Sequence, residues 1–234
     1  MSGSARSEIF AHLREAGRGE SEENIQRERL SLGSASAPAP PATEICQAFI
    51  LNVLKNQGSV ACVNNRAEAV QAIAHYLYPH FHNYRLVTGN DPRLAAMPWR
   101  DAGVLPRFGS LEAGEPVALS FARLGVVETG AAVTWTSKAN PAANNFLPEH
   151  HIVLVDKNDL VPTMEKAWER IHHALEKTGR PRGINFIAGP SSTADIEGEL
   201  IYGAHGPHRW HVVLLGDVPV DAQNIARAAQ RNQC

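Results

Sequence analysis

The residues best suited to chemistry concentrate between Gly189 and Leu215, in the run GPSSTADIEGELIYGAHGPHRWHVVLL. Gly189 opens a small-residue turn, and Ser191, Ser192 and Thr193 set three hydroxyls and several backbone N–H groups directly after the apolar run INFIA at 184–188. At the start of a helix, such a turn suits a phosphate or carboxylate, because unpaired N–H groups and the positive end of the helix dipole face the ligand. The same residues have a plainer use. Ser192 and Asp195 stand at the spacing of an ordinary helix cap, and a carboxylate in a first helical turn is favoured by the dipole alone. Asp195 otherwise has the chemistry to orient a histidine or a ligand hydroxyl. His205 lies between small residues in GAHGP, where Gly206 allows a tight turn that leaves the imidazole free to enter a cleft as an acid or base. Its alternative is a hydrogen-bonded turn histidine. His205, His208 and His211 follow one another at intervals of three, but a loop running into a strand splays them, so no metal site is expected.

Two further segments carry ionisable groups. Glu128-Thr129-Gly130 follows the apolar LGVV and precedes AAVTWT, so a carboxylate falls inside a strand pattern where the chain bends. Glu128 in that setting is a candidate base or nucleophile, with an exposed edge glutamate beside a glycine bulge as the alternative. FLPEHHIVLV sets His150 and His151 at the start of a buried strand, pointing to opposite faces, so at most one of them lines a site. His150 is the candidate.

The elements that must position these groups alternate. A helical stretch over 43–57 ends at Gly58, and VACV at 60–63 reads as a buried strand. Asn65 and Glu68 have capping-box spacing before Ala67, Val70, Ile73, Ala74 and Leu77, which share one helical face. Strands follow around 85–88, 117–121 and 125–136, the last bent into a hairpin, and at 151–155. Met164, Ala167, Trp168, Ile171, Ala174 and Leu175 trace an apolar stripe closed by Gly179, and the strands 184–188 and 210–216 bracket the Gly-Pro-Ser-Ser turn and a short helix. This is the pattern of an α/β fold with a mostly parallel sheet flanked by helices, whose ligands bind at the carboxyl ends of the strands. Ahead of it, residues 1–42 read as an N-terminal helical extension followed by the Pro/Ala/Ser-rich linker SLGSASAPAPPA, and 43–234 as the α/β domain.

The bulk composition narrows the function classes. With 234 residues, 22 basic and 24 acidic side chains and a formal charge of −2, the chain has no electrostatic footprint for nucleic acid. No apolar run approaches the roughly 20 residues of a membrane span, and the start MSGSARSEIF lacks the pattern of a secretory signal, so a cytoplasmic protein is expected. The three cysteines, Cys46, Cys62 and Cys234, are too few and too scattered for a four-thiolate cluster.

Taken together, ETG (128–130), LPEHHIVLV (147–155), GPSSTADIE (189–197) and GAHGPHRWHVVLLG (203–216) resemble, in this order, the motifs of the LUD-domain family of lactate-utilisation proteins. The resemblance covers roughly residues 45–216. It implies a fold similar to the glucosamine-phosphate isomerase, ribose-phosphate isomerase and CoA-transferase superfamily, and a role in oxidising L-lactate to pyruvate. In that role two iron–sulfur subunits are the partners, the clusters sit on them, and this chain binds no cofactor of its own. The resemblance implies a site for a small carboxylate or phosphate-containing ligand at Thr129, Gly130, His150, Gly189, Ser191, Ser192, Thr193 and Gly206, with Glu128, His205 and Asp195 as catalytic groups. The ETG glutamate also resembles the one that forms a thioester in CoA-transferases, which is analogy at the level of fold. The sequence departs from the family at Ala131, where threonine is common, and at Ser192, where a basic residue is frequent. Without that base the anion rests on hydroxyls, turn N–H groups and Arg209. A stand-alone enzyme acting on a sugar phosphate or acyl-CoA, and a purely regulatory assembly module, remain as alternatives.

Overall fold

The computed structural model describes residues 5–16, 21–33, 40–41, 44–194 and 200–231. The chain divides into two compact units, Met1–Ala37 and Pro38–Cys234. In the first, helices α1 (Ala5–Ala16) and α2 (Glu22–Ser31) bury none of their residues, and Ser21 caps α2 by accepting from the N–H of Asn24 at 3.2 Å. The Ser/Ala/Pro-rich stretch lies largely outside the described residues.

The second unit starts with α3 (Ile45–Lys55) and β1 (Ser59–Val63). Next come α4 (Arg66–Phe81), β2 (Arg85–Thr88), the short α5 (Pro92–Ala95), β3 (Leu105–Phe108) and β4 (Val117–Phe121). The hairpin of β5 (Leu124–Val126) and β6 (Ala131–Thr136) leads to α6 (Ala143–Phe146) and β7 (His150–Asp156). Then follow β8 (Leu160–Val161), α7 (Met164–Thr178) and β9 (Gly183–Ile187), and a small hairpin of β10 (Ser192–Ala194) and β11 (Leu200–Tyr202). The unit ends with β12 (Arg209–Leu215) and α8 (Val220–Arg231). None of the described helices is long and apolar enough to cross a membrane.

The main sheet has the order β1-β12-β7-β4-β2-β3 and is parallel throughout. Its alternation sorts the side chains into two cores. His150, Ile152 and Leu154 of β7 and His211, Val213 and Leu215 of β12 turn toward α4, whose Val70, Ile73 and Leu77 are fully buried. Val153, Val155, Trp210, Val212 and Leu214 turn the other way, onto Phe49, Ile50 and Val53 of α3 and Ala222 and Ala226 of α8. Each large aliphatic side chain so buried contributes about 1.5–3 kcal/mol, which holds the helices against a sheet that could not stand alone. The α/β architecture with a mostly parallel sheet agrees with the sequence reading.

The helix ends follow their sequence signals. Asn65 accepts from the N–H of Glu68 at 2.9 Å, while the Glu68 carboxylate accepts from the N–H of Asn64 at 2.8 Å. Thr163 caps α7, and Gly179, at φ 74°, ends it. Of the α7 stripe, Ala167 and Ile171 are buried against a second sheet of order β8-β5-β6-β9, whereas Trp168 stays 40% exposed.

Both edges of the main sheet are blunted. Gln230 of α8 donates its side-chain N–H to the carbonyl of Val60 on β1 at 2.8 Å. On β3, Leu105 and Gly109 donate inward, to Tyr84 and Thr88, so Pro106 falls where the strand would turn an N–H outward.

Two local readings need correction. The segment after INFIA does not start a helix over the described residues. It forms β10, paired with β11 through Ser192 opposite Tyr202 and Thr193 opposite Ile201, because a β-branched or aromatic partner faces each hydroxyl residue across the ladder. Nor does it stand at the carboxyl end of the main sheet: β9 belongs to the second sheet, and the chain beyond it crosses to the amino ends of the parallel strands.

Candidate functional site

The four motif segments meet along the amino-terminal edge of the main sheet. Gly130 and Gly189 both press on the last turn of α3, just before β1. A Cβ at Gly130 would stand 2.7 Å from the backbone of Asn52 and Val53, and one at Gly189 would stand 2.4 Å from the carbonyl oxygen of Asn56. Their φ values of 66° and 114° are ones that L side chains rarely adopt. Asn52 donates to the carbonyl of Val127 at 2.8 Å and Asn56 to that of Thr129 at 2.7 Å, so the side chains of α3 fix the ETG turn. Glu128 is exposed and accepts the N–H of Met164, at the start of α7, through Oε2 at 2.9 Å.

Farther along the edge, Ser191 donates its N–H to the carbonyl of Pro207 at 2.9 Å and accepts from Gly203 at 2.8 Å. That N–H is therefore committed within the protein. Gly206 lies against Ser191, where a Cβ would come within 3.0 Å of the serine Cβ. His208 and Arg209 donate backbone N–H groups to the carbonyl of Glu149, which ties the GAHGPH loop to the start of β7. His205, Ser192 and Thr193 are exposed. Asp195 lies outside the described residues. The edge thus gathers Glu128, Thr129, Gly130, His150, Gly189, Ser191 and Gly206 into one strip.

His150 belongs to an aromatic cluster that sequence inspection did not assemble. Its Nδ1 is 3.0 Å from the hydroxyl of Tyr76, its ring lies 5.0 Å from that of His80 and 4.7 Å from that of Phe81, and Tyr76 stacks on His211 at 4.3 Å. Nδ1 of His211 stands 2.7 Å from the hydroxyl of Ser59. Burial pushes His150 down to about 4, helped by the charges of His80, Arg209 and His208, and it pushes His211 down to about 3. Burial, then Arg209, also lowers His80, and burial raises the Tyr76 phenol. The cluster is therefore a set of neutral rings at neutral pH, reluctant to take up a proton and poor at holding an anion by charge. His151, on the opposite face, is fully buried with neither ring nitrogen hydrogen-bonded, and burial lowers it to about 3. Among the described residues no group of three or more His, Cys, Asp or Glu is placed to hold a metal ion.

At the opposite edge, a crevice of about 270 Å³ opens beyond the carboxyl ends of β2 and β4, lined by Asp91, Arg93, Phe121, Arg123, Trp135 and Asn140 among others. Here the strand order reverses. The next main-sheet strand after β2 lies to one side, and the next after β4 lies to the other, which is the position where open α/β sheets form ligand crevices. The sequence signal was available in VTGNDPR, a turn-rich segment directly after a buried strand, and in the lone base of SFARLG. What one-dimensional reading lacked was the pairing that brings Arg123 over the Trp135 ring, at 4.7 Å.

Residues 115–215 match the LUD domain, which bears out, over this stretch, the resemblance drawn from the four motifs. Several curated relatives carry the name lactate utilization protein C. That of Exiguobacterium sp. (strain ATCC BAA-1283 / AT1b) is 30% identical over 152 residues, covering 61% of this chain and 66% of the relative. That of Bacillus subtilis (strain 168) is 28% identical over 193 residues, covering 72% and 79%. That of Geobacillus kaustophilus (strain HTA426) is 38% identical over 102 residues, covering 43% and 42%. The match thus spans less than two thirds of the Exiguobacterium and Geobacillus proteins. A crystal structure of a DUF162 family protein from Deinococcus radiodurans has the same fold, with a TM-score of 0.58 and 22% identity over 76% of this chain and 100% of that one.

Proposed function

We propose that this chain serves lactate utilisation as an accessory, ligand-binding subunit of a system that oxidises L-lactate to pyruvate. Two iron–sulfur subunits carry the electrons, and the ligand is a small carboxylate or a phosphate-containing anion. The observation that carries this reading is the convergence, within the LUD-matching stretch, of separate motifs on one sheet edge, backed by relatives named for lactate utilisation. Cys46 and Cys62 are poorly suited to ligate a cluster, since burial raises the first and pushes the second up to about 12, and the three cysteines of the sequence fall short of the about four thiolates a cluster takes.

In this reading Glu128 and His205 supply acid–base function, and Ser191 and Thr193 hold the anion through their hydroxyls, since the N–H of Ser191 is already engaged. Oε1 of Glu128 has no hydrogen-bond partner among the described residues and remains for a ligand or a neighbouring subunit. The test is anaerobic affinity purification of the tagged chain from lactate-grown native cells, with iron analysis and an assay of lactate-dependent electron transfer. Co-purifying, iron-rich partners and a drop of roughly tenfold or more with Glu128→Gln or His205→Ala are expected. A solitary, iron-free chain would remove the subunit assignment. Unchanged electron transfer in both variants would remove the acid–base roles.

A further inference from the structure

We infer that the crevice beyond β2 and β4 is a binding site for a small organic monocarboxylate, with the guanidinium of Arg123 meeting the carboxylate. The inference rests on the ligand-binding reading above and adds to the motif strip a second anion site, at the opposite end of the sheet.

The two arginines of the crevice have different duties. Arg93 is spent on the protein itself: it donates to both oxygens of Asp91, at 3.1 and 2.7 Å, and to the carbonyl of Ala122 at 3.2 Å, with its guanidinium 4.0 Å from the centre of the Phe121 ring. Burial would raise the Asp91 carboxyl, but the hydrogen bonds from Arg93, with the charges of Arg93 and Arg123, hold it below its ordinary value. Asp91 therefore stays ionised and cancels Arg93. Arg123 has no carboxylate within ion-pair distance among the described residues, and its side chain is exposed over the indole of Trp135. Among the lining residues, two guanidiniums against one carboxylate leave one positive charge in excess. A monoanion balances it, whereas a phosphate dianion would bring surplus negative charge beside Asp91.

The remaining walls suit a small molecule with an apolar body and one more polar group. Phe121, Trp135, Pro92 and Ala139 supply apolar surface. Ser137 accepts from the N–H of Asn140 at 3.1 Å, and its own proton is uncommitted among the described residues. Trp135, which lines the crevice, also has a buried indole N–H with no acceptor among the described residues. The volume is below the range of drug-sized pockets, which selects for ligands of few atoms. The floor is tightly set: a Cβ at Gly89 would fall 2.2 Å from the carbonyl oxygen of Ala139, so only glycine lets the 137–140 segment close over the end of β2.

The experiment is isothermal titration of the full chain with sodium L-lactate at low ionic strength, with acetate and inorganic phosphate as comparison anions. An anion this small binds in roughly the millimolar range. A saturable lactate site is expected that Arg123→Gln weakens roughly tenfold or more and that Arg85→Gln, at the opposite end of β2, leaves unchanged. Matching thermal midpoints of the variants confirm that they fold. Absence of saturable uptake of lactate and acetate, uptake indifferent to Arg123→Gln, or tighter binding of phosphate that Arg123→Gln abolishes would each overturn the assignment. If lactate binds through Arg123 but no iron-rich partner co-purifies, the site stands and the subunit reading falls. Recovery of partners with no uptake in the crevice gives the converse.

Discussion

At the scale of single residues, the imidazoles at the amino ends of β7 and β12 make the fold sensitive to mild acid. His150, His151 and His211 are neutral when folded, held at about 4, about 3 and about 3, against an ordinary value of 6.5. Above 6.5 the folded and unfolded chains bind the same protons at these positions, and stability does not change on their account. Below 6.5 the unfolded chain takes up protons that the folded chain refuses, so stability falls as the pH is lowered toward the folded values. The two buried rings carry most of that fall, and the half-buried His150 contributes less. Urea unfolding at about pH 7 and about pH 5 should show a markedly lower midpoint in acid, and His151→Leu should flatten the dependence. Equal midpoints would mean that the rings are hydrated or paired in solution. The same leucine removes two unpaired buried nitrogens beside Trp210, so at neutral pH it should cost little or add stability.

At the scale of elements, α3 organises the site strip through its last turn, where Asn52, Asn56, Gly130 and Gly189 interlock. Gly189→Ala sets a methyl against the carbonyl of Asn56 at a φ of 114°. It should destabilise by about 1–3 kcal/mol, more than an alanine at the open Gly103, as read by thermal or urea midpoints. Helices were the most legible elements of the sequence: Asn65 with Glu68 announces the start of α4 and Gly179 the end of α7, and apolar periodicity announces their buried faces. The strands of the main sheet were legible as apolar runs. The placement of the motif strip was not, because INFIA looks like any other buried strand, and only its antiparallel pairing with β6 puts it in the second sheet. That pairing sends the Gly-Pro-Ser-Ser turn to the amino-terminal edge. Ser192 and Thr193 were misread for a related reason, since a cap and a short hairpin share their residue types and cross-strand partners decide between them. Glu128 was visible as a carboxylate in a strand pattern, whereas its hydrogen bond to the start of α7 spans 36 residues and leaves no local trace.

At the scale of the whole molecule, the sheet separates two chemistries along its length. Its amino-terminal edge carries the motif strip and a neutral ring cluster, and its carboxyl-terminal edge carries the cationic crevice, with an apolar core between them. The outer strands limit what else the molecule can do. Gln230→Ala combined with Pro106→Val uncovers the carbonyl of Val60 and restores an outward N–H on β3, and light scattering should then show concentration-dependent self-association absent from the parent. A parent that associates equally would place the contact elsewhere. In the unaltered protein the consequence is that the sheet is a finite object, closed to newcomers at both margins. A subunit that meets the main sheet at either margin must therefore recognise the shape and charge of its side chains, because the sequence-blind route of lending another strand is hindered there.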